Sequence, residues 1–91
     1  NQLAFKQTII ESDKLIDSIM KSLVSGETFA DRLKALRAKF PRGSYDQLWK
    51  AHIKRNELVH DNGSSVADWE LSTHLRTYRE TVSVLRGISL Q

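Results

Sequence analysis

At 91 residues, with 40% hydrophobic and 27% charged side chains, the chain is long enough for one small soluble domain and too short for two. It has no cysteine, which excludes a disulfide framework and thiolate metal sites. The formal charge of +3 is unevenly spread. Residues 28–55 carry eight basic and two acidic groups, whereas 1–27 and 56–91 are each slightly acidic. A basic block of this kind attracts polyanions such as RNA, although the same block also reads as a solvated helix surface.

The periodicity is helical from end to end, with no strand alternation and no internal repeat. The first helix is predicted over about 3–25, with Phe5, Ile9, Ile16, Met20 and Leu23 as its apolar stripe and Gly26 as its stop. A second helix is predicted from Thr28 as N-cap to about Phe40. Its core face is Phe29, Leu33, Leu36 and Phe40, and Pro41 and Gly43 end it. The third begins after Ser44 and runs to about Asn62, and Gly63, Ser64 and Ser65 form a loop beyond it. The fourth starts from Ser72 as N-cap and reaches about Arg86, with Leu71, Leu75, Tyr78, Val82 and Leu85 spaced for a helix seam. Trp49 and Trp69 are expected to be buried anchors rather than base-stacking platforms. The fold expected is all-α, an antiparallel four-helix bundle spanning 1–91 as a single domain.

The third helix carries the chemistry. On a helical wheel Asp46, Gln47, Lys50, Lys54, Glu57 and Asp61 form a solvent face. His52, Arg55, Asn56 and His60 fall instead in or beside the apolar arc of Tyr45, Leu48, Trp49, Ala51, Ile53, Leu58 and Val59. Polar groups in such an arc cost free energy unless paired. His52, Asn56 and His60 are four apart and form one stripe, so that Asn56 is placed to orient His60. His60 lies in the last turn, where the helix C-terminus favours an imidazolium and suits the ring to proton transfer. Arg55 offers a rigid fork of donors for phosphate oxygens.

Together Arg55 and His60 are suited to cleave RNA without a metal. His60 would take the 2′-hydroxyl proton or protonate the leaving 5′-oxygen, and Arg55 would stabilise the charged transition state. In the structural alternative, Arg55 pairs with a carboxylate such as Glu80 or Asp68 and the histidines bond loop carbonyls. His52 and His60 are two turns apart, too far for a compact metal site, and neither a nucleophile elbow nor a phosphate-binding glycine loop is present. No cofactor and no metal are expected.

The segment Leu48-Trp49-Lys50-Ala51-His52-Ile53-Lys54-Arg55-Asn56-Glu57-Leu58-Val59-His60 resembles the HEPN superfamily, whose signature is an arginine followed four to six residues later by a histidine. The likeness covers about 28–91, and helix 1 joins it by pattern only. It implies a helical bundle that dimerises so that two motifs line one cleft, with Arg55 and His60 as catalytic pair and Asn56 as auxiliary residue. Many members are metal-independent endoribonucleases of toxin–antitoxin and antiviral systems; others bind RNA, nucleotides or protein partners without catalysis. A toxin subgroup carries a modifiable tyrosine two residues after the histidine; this chain has Asn62 there, which argues against that regulation.

The functional expectation is therefore an RNA-binding or RNA-cleaving homodimer, with Lys50, Lys54, Arg42 and His52 as further RNA contacts. The rival is a non-enzymatic dimerisation or protein-interaction domain in which the motif is a buried polar network. No apolar run reaches the length of a membrane span, so no membrane contact by this segment and a cytoplasmic location are expected. The chain begins at Asn1 and is expected to be part of a longer protein, in which an anchor outside this segment is compatible with the reading.

Overall fold

A computed structural model describes residues 2–60 and 66–89. Among them are α1 (Gln2–Leu23), α2 (Phe29–Ala35), a 3-10 turn (Arg37–Lys39), α3 (Ser44–His60) and α4 (Asp68–Ser89), with no strand. The protein is an all-α helical bundle. None of the described helices is long and apolar enough to cross a membrane.

Three long helices set the architecture. Gln2 at the start of α1 donates through Nε2 to the Val66 carbonyl and to Asp68 Oδ1 (2.8 Å) at the start of α4. At their other ends, Ile19, Ser22 and Leu23 of α1 line one cleft with Val82, Leu85 and Arg86 of α4. The two helices therefore run parallel. α3 runs against both, with its C-terminal Leu58 and Val59 beside Leu3, Lys6 and Ile10 of α1. α2 has only seven residues, about 10 Å of helix. It covers one end of the α1–α3 pair and does not form a full-length fourth member.

The core is built from the periodic positions. Ile9, Ile16 and Met20 of α1, Leu33 of α2, Leu48 and Ala51 of α3, and Leu71 and Leu85 of α4 are fully buried. Phe29, Leu36, Leu58, Val66 and Tyr78 complete it, with Leu75 and Val82 packed at its edge. Thr28 caps α2 as predicted, accepting from the Asp31 amide at 3.0 Å.

Several boundaries and positions differ from the sequence expectation. α2 stops at Ala35, not near Phe40, because the Leu36 amide turns to both the Arg32 and Leu33 carbonyls and the chain tightens into a 3-10 turn. Phe40 precedes Pro41 and is extended, as a pre-proline residue prefers. α4 starts at Asp68, four residues before Ser72. The Ala67 carbonyl accepts from Glu70 and Leu71, and Asp68 and Glu70 complement the positive end of the helix. That earlier start carries Trp69 onto the outer surface at 72% exposure, so it is not a buried anchor. Trp49 is half-buried, as are its neighbours Tyr45 and His52, whose rings it meets edge-on. Phe5, expected in the core stripe, lies at the rim of the α1–α4 groove. Ile53 and Val59 are exposed members of α3's apolar arc. The predicted last turn of α3 and the loop at 63–65 lie outside the described residues.

A partly buried salt bridge holds the α1–α2 turn. Arg32, nearly fully buried, donates through Nε to Asp17 Oδ1 (2.8 Å) and through Nη1 to the Gly26 carbonyl (2.6 Å). A Cβ on Gly26 would stand 3.0 Å from Arg32 Cγ and 3.1 Å from its amide nitrogen, at a φ of +155°. The chain therefore needs glycine to pass this close.

Truncating Leu48 in this core should cost about 2–5 kcal/mol, while Trp69→Ala should stay within about 0.5 kcal/mol. Urea unfolding followed by circular dichroism measures both; comparable losses would contradict the packing described.

Candidate functional site

Two polar residues of α3, His52 and Arg55, converge on a carboxylate that the sequence hides. Asp13 stands on α1 between Ile9 and Ile16 and is only 3% exposed. His52 Nδ1 lies 2.9 Å from its Oδ2 and 3.2 Å from its Oδ1. A carboxylate only accepts, so the imidazole presents its proton at Nδ1. Tyr78 of α4 donates its hydroxyl to the same Oδ2 at 2.7 Å. Arg55 Nε approaches Oδ1 at 3.7 Å, an ion-pair distance too long for a hydrogen bond. One acid thus joins α1, α3 and α4.

An aromatic ring and two further residues complete the surroundings of this cluster. The His52 ring stacks on Phe29 with centroids 3.8 Å apart and planes within 1°. Tyr78 has its phenol pushed far above the usual range, first by burial and then by the Asp13 charge and the hydrogen bond to it. Arg55 Nε is buried and makes no hydrogen bond among the described residues. Its Nη1 donates to Asn56 Oδ1 at 3.0 Å, and the side chain as a whole keeps 32% exposure. The guanidinium is therefore held at its inner edge by Asp13 and at one outer nitrogen by Asn56.

The sequence-predicted site residues divide accordingly. Arg55 and Asn56 are together, with Asn56 engaging Arg55 through its amide oxygen. His60 is exposed at the last described turn of α3, two turns beyond His52. The partner of Arg55 is Asp13, where Glu80 or Asp68 was expected; Glu80 is exposed and Asp68 accepts from Gln2. Of the further residues expected to contact RNA, Lys50 and Arg42 are exposed. His52 is committed to Asp13 and Phe29, and Lys54 is held between Glu57 and Glu70 at 3.2 Å each. Burial works against the Lys54 charge, but the two glutamates outweigh it and raise its pKa.

Asp13, Tyr78 and the Asp17–Arg32 pair were missed from sequence. The available signal was an acid in an apolar stripe: Asp13 lies four residues after Ile9 and three before Ile16, so it faces the core. An ionised carboxylate there demands cationic or donor partners.

On the opposite side of α3, His74 of α4 has only 11% of its side chain exposed and its Nε2 is 3.8 Å from Glu70. Lys50, Ile53, Lys54 and Glu57 of α3 complete its surroundings. Burial lowers the His74 pKa; Lys54 adds to this and Glu70 opposes it. No group of three or more metal-ligating side chains occurs among the described residues.

No protein-family model, curated protein or solved structure matches this chain. The site therefore stands on its own geometry.

Two predictions follow from these clusters. Asp13→Ala takes the acceptor from the buried Tyr78 hydroxyl and from His52, and the counter-charge from the buried Nε of Arg55, and should cost about 2–4 kcal/mol; an exposed control, Glu80→Ala, should cost under about 0.5 kcal/mol in the same urea titration. For His74, the folded state binds fewer protons than the unfolded chain between its lowered pKa and about 6.5. Stability therefore rises with pH through that window, is lost on acidification through it, and has no further His74 dependence below the lowered pKa, where both states carry the proton. His74→Gln should reduce the difference in urea midpoint between pH 7.5 and 5.5, and an unchanged difference would refute the assignment.

Proposed function

We propose that the chain is a HEPN-like module that dimerises and binds RNA at a site assembled from Arg55, Asn56 and His60 of two copies. Where Arg55 of one copy meets His60 of the other, it cleaves the RNA. The observation that carries this reading is the placement of the motif beside an apolar surface. Leu3 is 71% exposed and Val59 43%. They share a cleft with Lys6, Ile10 and Leu58 at the end of α3 where His60 emerges. Exposed apolar residues of this kind are what a second copy would cover. The resemblance of Arg55-Asn56-Glu57-Leu58-Val59-His60 to the superfamily motif supports the same reading.

Helix geometry supports a two-copy site. Residues five apart on one helix diverge by roughly 140°. Within one chain Arg55 and His60 do not stack on each other, and a partner related by a two-fold axis would bring an Arg to a His. His60 of one copy then removes the 2′-hydroxyl proton. The 2′-oxygen attacks phosphorus, Arg55 stabilises the charge on the non-bridging oxygens, and the second His60 protonates the departing 5′-oxygen. The products are a 2′,3′-cyclic phosphate and a 5′-hydroxyl. Asp13 and Asn56 act on Arg55, not on the substrate: they fix the fork before RNA arrives.

A second reading has its own support. Because Asp13 and Asn56 already engage Arg55, the alternative is a non-catalytic dimerisation or protein-interaction domain in which the motif is a structural polar network.

Mixed RNA incubated in EDTA with wild type, His60→Ala, Arg55→Lys and Arg55→Ala separates the two. The cleaving dimer predicts cleavage in EDTA that falls at least about 100-fold in His60→Ala and Arg55→Ala, with His60→Ala folded as wild type by circular dichroism. Wild-type protein that neither binds nor cuts RNA, or cutting that survives both substitutions, leaves the framework reading.

A further inference from the structure

Among the described residues, no element covers the groove between the parallel helices α1 and α4 on the face away from α3. Three adjoining clefts mark it. Ala4, Phe5, Thr8 and Leu75 line the first. Thr8, Leu15, Ile16, Leu75, Arg79 and Val82 line the second, and Ile19, Leu23, Val82, Leu85 and Arg86 the third. From Ala4 to Ser22 the groove spans about 27 Å of α1, room for a helix of about 18 residues. In a bundle with four full-length helices this is where the fourth would lie. Here α2 is seven residues long and sits at the α1–α3 end, with Phe29 on His52 and Arg32 on Asp17.

Two features select the occupant. The floor is apolar, and Leu15 stands 53% exposed on its wall. The charged residues lining these clefts are Arg79 and Arg86, seven apart on one edge of α4; both are exposed and neither forms an ion pair among the described residues. A groove-to-groove pairing of two copies would gather four arginines in one interface with no lining carboxylate to offset them. The groove therefore disfavours its own copy and suits an acidic partner.

We infer that the α1–α4 groove is a docking site for an amphipathic helix of another protein. That helix would place apolar residues at i, i+3/i+4 and i+7 over Leu75 and Val82 and against the Leu15 wall, and acidic residues two turns apart against Arg79 and Arg86. The inference is independent of the RNA reading, because neither Arg55 nor His60 touches this face.

The test uses two fluorescein-labelled 18-residue helical peptides, identical in their leucines, one flanked by glutamates and the other by lysines. Anisotropy should show the acidic peptide binding at least about tenfold tighter than the basic one at 0.1 M salt. Arg79→Glu/Arg86→Glu, two surface changes that leave the core intact, should reverse that order. Amide shift changes should fall on α1 and α4 positions such as Leu15, Leu75 and Val82. Equal affinity for the two peptides, no binding of either, or shifts confined to the Leu3–Val59 face would overturn the proposal. So would sedimentation as a dimer that Leu15→Glu dissociates, since a second copy would then be the occupant.

Discussion

The Asp13 carboxylate organises this fold. It is withdrawn from water on α1, and a carboxylate so placed is tolerated only if donors and positive charge surround it. His52 and Arg55 from α3 and Tyr78 from α4 supply them. Each donor fixes one helix about its own axis relative to α1. An apolar interface alone accepts small rotations and slips, whereas a hydrogen bond of 2.7 to 2.9 Å does not. The remaining packing is consistent with that setting. Phe29 closes over His52, α2 is tied down by Arg32 to Asp17, and Leu48, Ala51, Leu71 and Leu85 fill the space between the three long helices.

The same arrangement gives α3 three different faces. One is committed to the Asp13 network. Another, carrying Lys54, meets Glu70 and His74 of α4 in a half-exposed charged cluster. At the end of the helix, Val59 and His60 remain exposed beside Leu3. A helix pinned by its first two faces presents the third in a fixed orientation, and this is what a two-copy site needs from a scaffold. Arg55 bridges inside and outside: its Nε is buried near Asp13 while part of its guanidinium reaches the surface. The cost of that buried donor is carried by the fold as a whole.

Much of the architecture is legible in the sequence. The stripe Ile9–Ile16–Met20, the cap at Thr28 and the start of α3 at Ser44 all reflect local periodicity and backbone preference, and these act within a few residues. Helix ends that depend on tertiary context are harder. α4 begins at Asp68 because acidic first-turn residues and the Gln2 contact stabilise it there, although Ser72 is the stronger cap by type. Trp69 shows the same limitation, since its burial depends on where the helix starts. The polar arc of α3 is legible as an anomaly that needs partners. Which acid answers it is not, because Asp13 is 39 residues from His52 and 65 from Tyr78 and no local rule links them. An acid inside a 4–3 apolar stripe is the one trace the pairing leaves in the sequence.

The most direct test of this account is a double-mutant cycle between Asp13→Asn and Tyr78→Phe, read by urea unfolding. If the carboxylate joins α1 to α4 through the tyrosine, the two losses are non-additive, with a coupling of about 1–3 kcal/mol. Losses that add within about 0.5 kcal/mol would mean that Asp13 and Tyr78 act independently, and the carboxylate would not be the joint of the bundle.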